Sequence, residues 1–521
     1  VNNNKKESEL TMKFLRSGGN LRYISLSTSQ SQKYSSSKTT QESSDESHTA
    51  KHATIPPMPA TDFKPEPYKG IPYEKALQVR RSTLSPAIYS YYKQPMLISQ
   101  GHMQYVWDHT GRQYLDLFGG IATVSVGHCH PHAVEAVKRQ SEKLWHVSNI
   151  YLHPNVDYAE KLAAKLPDPL NVVYFVNSGS EANDLAMLMS RLHTGCFDVF
   201  SLRNGYHGAS PYTMGLTAQS IWHYNMPRGF GVHQTMNPDV YRGIWGGANC
   251  RDSPVQTQRQ CDCGPNECKA CDMYIGELKD VLEHTTPKGG GIAAFFAESI
   301  QGVGGVQQYP RQFIKRAYDL VRAQGGLCVA DEVQSGFGRT GGSYWGFESH
   351  GVIPDIVTMA KGIGNGFPMA ALVTTKEIAQ TMSSALHFNT YGANPFACAV
   401  GSAILDIIDD ENILGTSKSL GTYILKELEL FRDEFEAIGD VRGKGLMIGI
   451  ELVTDKASKT QLSAEETNDI FETMKDHGIL MGKGGQKGNI LRVKPPMCIT
   501  KEDADYFLAV FRQAITKHQN K

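Results

Sequence analysis

The sequence predicts an α/β protein: a large domain with a mostly parallel sheet between helices, and a smaller α+β domain assembled from both ends of the chain. Three observations predict this. From about Val172, uninterrupted apolar runs alternate with amphipathic helical segments, the pattern of strands buried on both faces. After about Lys376 the pattern becomes helix-rich, and near residue 105 a hairpin-like stretch precedes the alternation. The expected divisions are residues 1–62 as upstream residues, transit peptide and disordered linker, 63–125 as the N-terminal part of the small domain, 126–375 as the large domain, and 376–521 as the C-terminal part of the small domain.

In chain order, Met12 to Thr40 carries Lys13, Arg16, Arg22, Lys33 and Lys38, many serines and no acid. That composition reads as a mitochondrial transit peptide, with a solvated tail as the alternative. Ordered protein is expected from Phe63. "MQYVWDHTGRQYLDLF" reads as a hairpin turning at His109–Gly111, and "NVVYFV" as a strand. In "SEANDLAMLMSRLH" the apolar Ala182, Leu185, Ala186, Met189 and Leu192 recur at helical spacing. "IAAFFAE", "LCVADE" and "DIVTMAK" are strands, and "RQFIKRAYDLVRAQ" is a helix closed by Gly325 and Gly326. Beyond them, "ACAVGSAILDIIDD" and "SLGTYILKELELFRDEFEAIG" are helices, while "GKGLMIGIEL" and "ILRVKPP" are strands.

Bulk composition excludes several classes of function. Lysine plus arginine number 52 and aspartate plus glutamate 53, so charge gives no support for a nucleic-acid or anionic-membrane partner. No apolar run is long enough to span a bilayer. Ten cysteines in 521 residues are too few for a disulfide scaffold.

Four candidate sites along the chain share one structural position, just after an apolar run: Ser178 with Gly179, Glu298, Asp331 and Lys361. Open parallel sheets gather their sites at the carboxyl ends of the strands. Ser178 and Glu181 form a capping-box pattern, and the helix they open presents free N–H groups to an anion. Asp331 ends a buried strand, where an unpartnered carboxylate is costly, so it should face a cation. A simple ion pair with Lys361 is one reading. A cofactor between the two is the other: pyridoxal phosphate needs a lysine to condense with its aldehyde, a carboxylate for its ring nitrogen and a cup for its phosphate. Tyr206, in the glycine-bounded turn Gly205–Gly208, could stack on a flat ring. "KGIGNG" is not a nucleotide P-loop, because its lysine precedes the glycines.

"NSGSEAND", "YHG", "FFAES", "ADEVQSGFGRTG", "DIVTMAKGIGNGFPMAA" and "NTYGANP" arrive in the order found in the class-III pyridoxal-phosphate aminotransferases, which the chain resembles from about Phe63 to its end. The resemblance implies the fold type I of pyridoxal-phosphate transferases. It implies Lys361 as the covalent anchor and proton carrier, and Asp331 on the ring nitrogen. Gly179 and Ser180, with Ser178, would hold the phosphate. Tyr206 and Val333 would lie against the ring, with His207 among the cofactor-binding residues, and Gln334 would reach the phenolic oxygen. Thr390 would serve the phosphate of a neighbouring subunit in a homodimer or homotetramer. Arg492 would clamp the substrate carboxylate, and Glu298 would neutralise it when no carboxylate enters. "VSVGHCHP", "WGG…CRDSPV", "FNTYGANP" and "GDVRGKGLMIGIE" narrow the likeness to members that move an amino group from alanine to glyoxylate. Activity on 3-aminoisobutyrate, β-alanine or methylated arginines is implied as well. A phospho-lyase or an ω-amino-acid transaminase of the same family is the alternative, and a non-catalytic binding protein would have lost Lys361 or Asp331. Three residues depart from the family pattern: Ser299 in place of proline, Ala393 in place of glycine, and Lys494 beside Arg492.

One group of residues stands outside this reading. Cys261, Cys263, Cys268 and Cys271 are spaced C-x-C-x4-C-x2-C, with Cys250 upstream. Such thiolates could bind zinc, but the spacing is not that of a zinc ribbon. Reduced thiols in an insertion loop, with no metal, are the plainer expectation.

Overall fold

The computed structural model describes residues 55–264 and 267–521. The transit-peptide reading lies outside the described residues. Ile55 and Met58, ahead of the expected start at Phe63, already pack against the largest hydrophobic cluster, because both are apolar side chains within reach of it.

The strands run in chain order as β1 (Ile98–His102), β2 (Tyr105–Asp108), β3 (Gln113–Asp116), β4 (Val172–Val176), β5 (Val199–Leu202), β6 (Val232–Thr235), β7 (Ala294–Glu298), β8 (Leu327–Asp331), β9 (Ile356–Met359) and β10 (Ala370–Thr374). They continue as β11 (Ile438–Lys444), β12 (Met447–Asp455), β13 (Thr460–Gln461), β14 (Ile479–Leu480), β15 (Gly482–Gly484) and β16 (Ile490–Val493). A seven-stranded sheet has the order β4-β10-β9-β8-β7-β5-β6. Only β10 runs antiparallel to its neighbours, so the sheet is mostly parallel, as expected. A second sheet is ordered β11-β12-β16-β15, and a third, β1-β2-β3-β14, joins the early hairpin to a late strand.

Alternation along β7 shows why its residues are apolar throughout. Ala294 and Phe296 pack into one cluster with the helix Gly179–Thr194. Phe295 and Ala297 pack into another with the helices Lys269–Thr285 and Phe313–Ala323. A strand covered on both faces has no polar side.

Two sequence readings need correction. Leu192, expected on the core face, is 46% exposed. The helix Gly179–Thr194 rises about 24 Å at 1.5 Å per residue, whereas the short strands beneath it span about 16 Å, so its last turn overhangs the sheet. "GKGLMIGIEL", read as one strand, is the turn and second arm of a hairpin between β11 and β12. Gly445 turns it at φ +57°, where an added Cβ would lie 2.4 Å from the Thr340 carbonyl carbon. No other residue fits there. Among the described residues no helix is long and apolar enough to cross a membrane.

Candidate active site

Register assembles the site. Glu298 and Asp331, the last residues of β7 and β8, are paired, and Asp331 is paired in turn with Thr358 of β9. Three polar side chains thus stand abreast near the carboxyl edge of the parallel strands. Lys361 follows two residues after β9 ends, at φ +51°, a left-handed conformation that costs a non-glycine residue about 1 kcal/mol. The loop beyond it is fastened by Asn365, whose side chain accepts from the Ser125 and Val126 N–H groups at 2.8 and 3.1 Å and donates to the Gly127 carbonyl at 2.8 Å.

One cavity of about 250 Å³ is lined by Ser178, Gly179, Ser180, Tyr206, His207, Glu298, Asp331, Val333, Gln334, Lys361 and Arg492. Eleven sequence-expected residues from separate segments therefore meet in one place. Thr390 does not join them. It is exposed on the segment before the helix Pro395–Asp410.

Asp331 is 3% exposed and fully engaged. Its Oδ2 accepts from Asn183 Nδ2 at 2.9 Å and from His207 Nδ1 at 2.8 Å, and its Oδ1 accepts from the Val333 N–H at 3.1 Å. Asn183 also donates to the His207 carbonyl at 2.9 Å and accepts from Thr358 Oγ1 at 2.8 Å. The simple Asp331–Lys361 ion pair is therefore not what the buried carboxylate uses. His207 takes that place. Burial by itself would lower the His207 pKa, but the hydrogen bond and charge of Asp331, with the charge of Glu298, raise it above its ordinary value.

Burial lowers the pKa of Lys361 to about 8, against the opposing charges of Asp331 and Glu298 and helped by Arg492. Glu298 is raised by burial, partly offset by His207. Its two oxygens accept from the N–H groups of Tyr206 at 3.0 Å and Gly302 at 2.7 Å. Among the described residues no ion pair joins Glu298 to Arg492. Arg492 instead makes two long contacts, to the Gly302 carbonyl and the Tyr91 hydroxyl, each at 3.3 Å, and its buried Nε has no partner. Gly484 leaves room for it, since a Cβ there would stand 2.7 Å from Nε. Gln334 accepts from Lys494 Nζ at 2.8 Å, and burial, then Arg492 and Lys361, hold the Lys494 pKa well below its usual range.

The anion end behaves as its sequence suggests, with one shift. Ser178 caps the helix by accepting from the Glu181 N–H at 3.2 Å, but the Glu181 carboxylate bonds the Asn177 N–H, one residue before the cap. First-turn N–H groups of Gly179 and Ser180 have no intrahelical acceptor. Gly208, at φ +130°, comes so close that a Cβ would meet Ser180 Oγ at 2.8 Å.

Sequence reasoning missed Asn183, Thr358 and Tyr91. A signal existed for Asn183, which falls beside Ala182 and Ala186 on a face otherwise apolar. None existed for Tyr91, which reaches the site from an irregular segment.

These residues fit pyridoxal phosphate: a glycine-lined cup with free N–H donors, a buried carboxylate, a lysine with a lowered pKa and a guanidinium with an unpartnered Nε. The sequence profile of the aminotransferase class-III family matches residues 88–515, and the chain belongs to that family. It is a pyridoxal-phosphate-dependent transaminase. The chain is 54% identical over 470 residues to the human protein named alanine–glyoxylate aminotransferase 2, mitochondrial, covering 90% of this chain and 91% of the relative. It is 44% identical over 461 residues to the Arabidopsis thaliana protein named alanine–glyoxylate aminotransferase 2 homolog 2, mitochondrial, covering 88% and 91%. Among solved structures it resembles an Arthrobacter phospholyase in complex with phosphoethanolamine, with a TM-score of 0.76, 31% identity and coverage of 85% and 99%. The mitochondrial localisation expected from the basic N-terminal segment agrees with the relatives' names.

Proposed function

We propose that this enzyme moves the amino group of L-alanine to glyoxylate, giving pyruvate and glycine. The observation that carries the proposal is the meeting of Lys361, Asp331 and Arg492 around one cavity, which brings an amine, a carboxylate for the cofactor ring and a guanidinium for a substrate carboxylate together. The likeness to the human relative supports this substrate pair.

When bound, pyridoxal phosphate supplies an electron sink for charge developing at the substrate α carbon. Gly179 and Ser180, at the helix N-terminus, would hold its phosphate, and Asp331 would hold a proton on its ring nitrogen. Tyr206 and Val333 would confine the ring, and Gln334, oriented by Lys494, would reach its phenolic oxygen. Arg492 pairs with the substrate carboxylate and thereby aims the Cα proton. Lys361, whose amine burial holds below its ordinary pKa, would take that proton from Cα of the donor and, in the second half-reaction, would give one to Cα of the acceptor. Glu298, held by two backbone donors, is the countercharge for Arg492 when a substrate lacks that carboxylate.

The working unit is a homodimer or a homotetramer, with Thr390 entering the neighbour's site. Leu386, Phe388 and Tyr391 beside Thr390, and Trp145, Ile150, Tyr151 and Leu152, are all exposed. The two segments adjoin, with the rings of His146 and Tyr391 centred 5.6 Å apart. An apolar surface of that kind calls for a partner. Residues 126–375 form the large domain and 63–125 with 376–521 the smaller one, supported by where the three sheets draw their strands.

A donor–acceptor panel on purified protein with added cofactor tests the substrate pair. Alanine with glyoxylate should give the highest kcat/KM, ahead of 3-aminoisobutyrate, β-alanine and methylated arginines as donors. Phosphate release from phosphoethanolamine without keto-acid formation would replace this reading with the phospho-lyase one.

A further inference from the structure

Between β6 and the helix Lys269–Thr285 the described residues form no strand or helix. So long an irregular stretch in a compact protein needs something to hold it. Five cysteines lie in or beside it. Cys250, Cys261 and Cys263 place their Sγ atoms within 4.8 Å of one another. The Cys268 thiol lies near that of Cys250 but outside this group of three. None of the five is in a disulfide. Cys271, which the spacing had put in the set, is turned away. It is buried in the cluster beneath the helix, with Arg316 donating to its sulfur at 3.5 Å. Cys250, remote in sequence, takes its place.

We propose that Cys250, Cys261, Cys263 and Cys268 bind one structural zinc ion. Tetrahedral zinc with sulfur ligands at about 2.3 Å brings the sulfurs to about 3.8 Å from each other, so the three clustered thiols need only small adjustments. Cys268, at the N-cap of the helix, moves in from the Cys250 side on metal binding to close the fourth corner. The backbone already supports charge on sulfur: the Cys263 N–H donates to Cys261 Sγ and the Lys269 N–H to Cys263 Sγ, each at 3.4 Å. Such N–H···S bonds orient metal-bound thiolates and spread their charge. All four positions are filled by the protein, which makes the site structural and not catalytic.

The site has something to fasten. The Cys250 carbonyl accepts from the Arg311 N–H at 2.6 Å. The next residue, Arg251, is fully buried and grips Asp440 of β11 with two bonds of 2.8 and 3.0 Å. Asp440 and Glu451 share Arg442 at 3.1 and 2.7 Å. A metal at Cys250 thus pins the base of the arginine that ties this segment to the second sheet.

The test is metal content of the full-length holoenzyme, expressed with zinc and purified under thiol reductant without chelator. About one zinc per chain is expected, released when the thiols are modified. Cys261→Ser and Cys263→Ser should lose the zinc and melt at lower temperature while retaining bound cofactor, and Cys271→Ser should keep its zinc. Wild-type protein without stoichiometric metal would overturn the proposal, as would zinc retained in both serine variants. If the serine variants fail to fold, cobalt substitution of the wild type decides. Intense thiolate-to-cobalt bands of a four-coordinate site support the proposal, and a weak six-coordinate spectrum overturns it.

Discussion

Replacing Asn183 by alanine removes three buried hydrogen bonds at once: to Asp331 Oδ2, to the His207 carbonyl and from Thr358 Oγ1. The bond to the carboxylate is worth about 1.5–3 kcal/mol and each neutral one about 0.5–1.5 kcal/mol, so the loss should be about 2.5–6 kcal/mol in total. Part of it falls on stability and part on function. Asp331 would keep only His207 and the Val333 N–H, and the carboxylate could swing. A displaced catalytic group costs up to about a hundredfold in rate, so kcat should fall about ten- to a hundredfold with little change in KM for alanine. Steady-state kinetics, with melting temperature measured on the same preparation, provide the assay. Thr358→Val removes only the bond to Asn183 Oδ1 and should cost much less. The double variant should cost less than the sum of the singles, because both act through Asn183. A kcat for Asn183→Ala within about twofold of wild type would refute the claim that Asn183 positions Asp331.

Lys361, with its pKa lowered to about 8 from 10.5, reacts as a neutral amine, so cofactor uptake by the apoenzyme should quicken with pH and reach half its maximum near pH 8. Across that same window the folded apoprotein holds fewer protons at Lys361 than the unfolded chain, so this group makes apoprotein stability rise with pH. The rise should vanish in Lys361→Met, and a midpoint near pH 10 would show an ordinary lysine. Arg492→Ala should raise the KM for alanine by about two orders of magnitude, the worth of a charge-assisted pair, while cofactor content stays the same. An unchanged KM would mean that another group holds the carboxylate. Ala393 sits at φ +56°, so Ala393→Gly should relieve left-handed strain and stabilise the protein by up to about 1 kcal/mol, read as a higher melting temperature. A lower melting temperature would contradict that.

The strand-ending residues were legible because a buried parallel strand is apolar throughout, so a polar residue at its end stands out. Glu298, Asp331 and Lys361 each interrupt such a run. That they pair in register was not legible, because it depends on strand order and not on any local pattern. Gly445 was read inside a strand because the residues on either side of it are extended. Only its close approach to Thr340 reveals the turn. The Ser299 departure has a local reason that only the structure shows: its hydroxyl bonds buried Glu332, a contact proline could not make. Cys250 was legible as a thiol but not as a partner of Cys261, since a separation of this kind carries no spacing rule.

Lys361 as the proton carrier of an alanine transaminase is the claim on which the rest depends. Its most direct test is a single half-reaction: cofactor-loaded enzyme is mixed with alanine, without acceptor, and pyruvate is counted. Wild type should release about one pyruvate per chain, and Lys361→Ala, with cofactor added, should release essentially none on the same timescale. A full equivalent of pyruvate from Lys361→Ala at the wild-type rate, or none from wild type, would contradict the account.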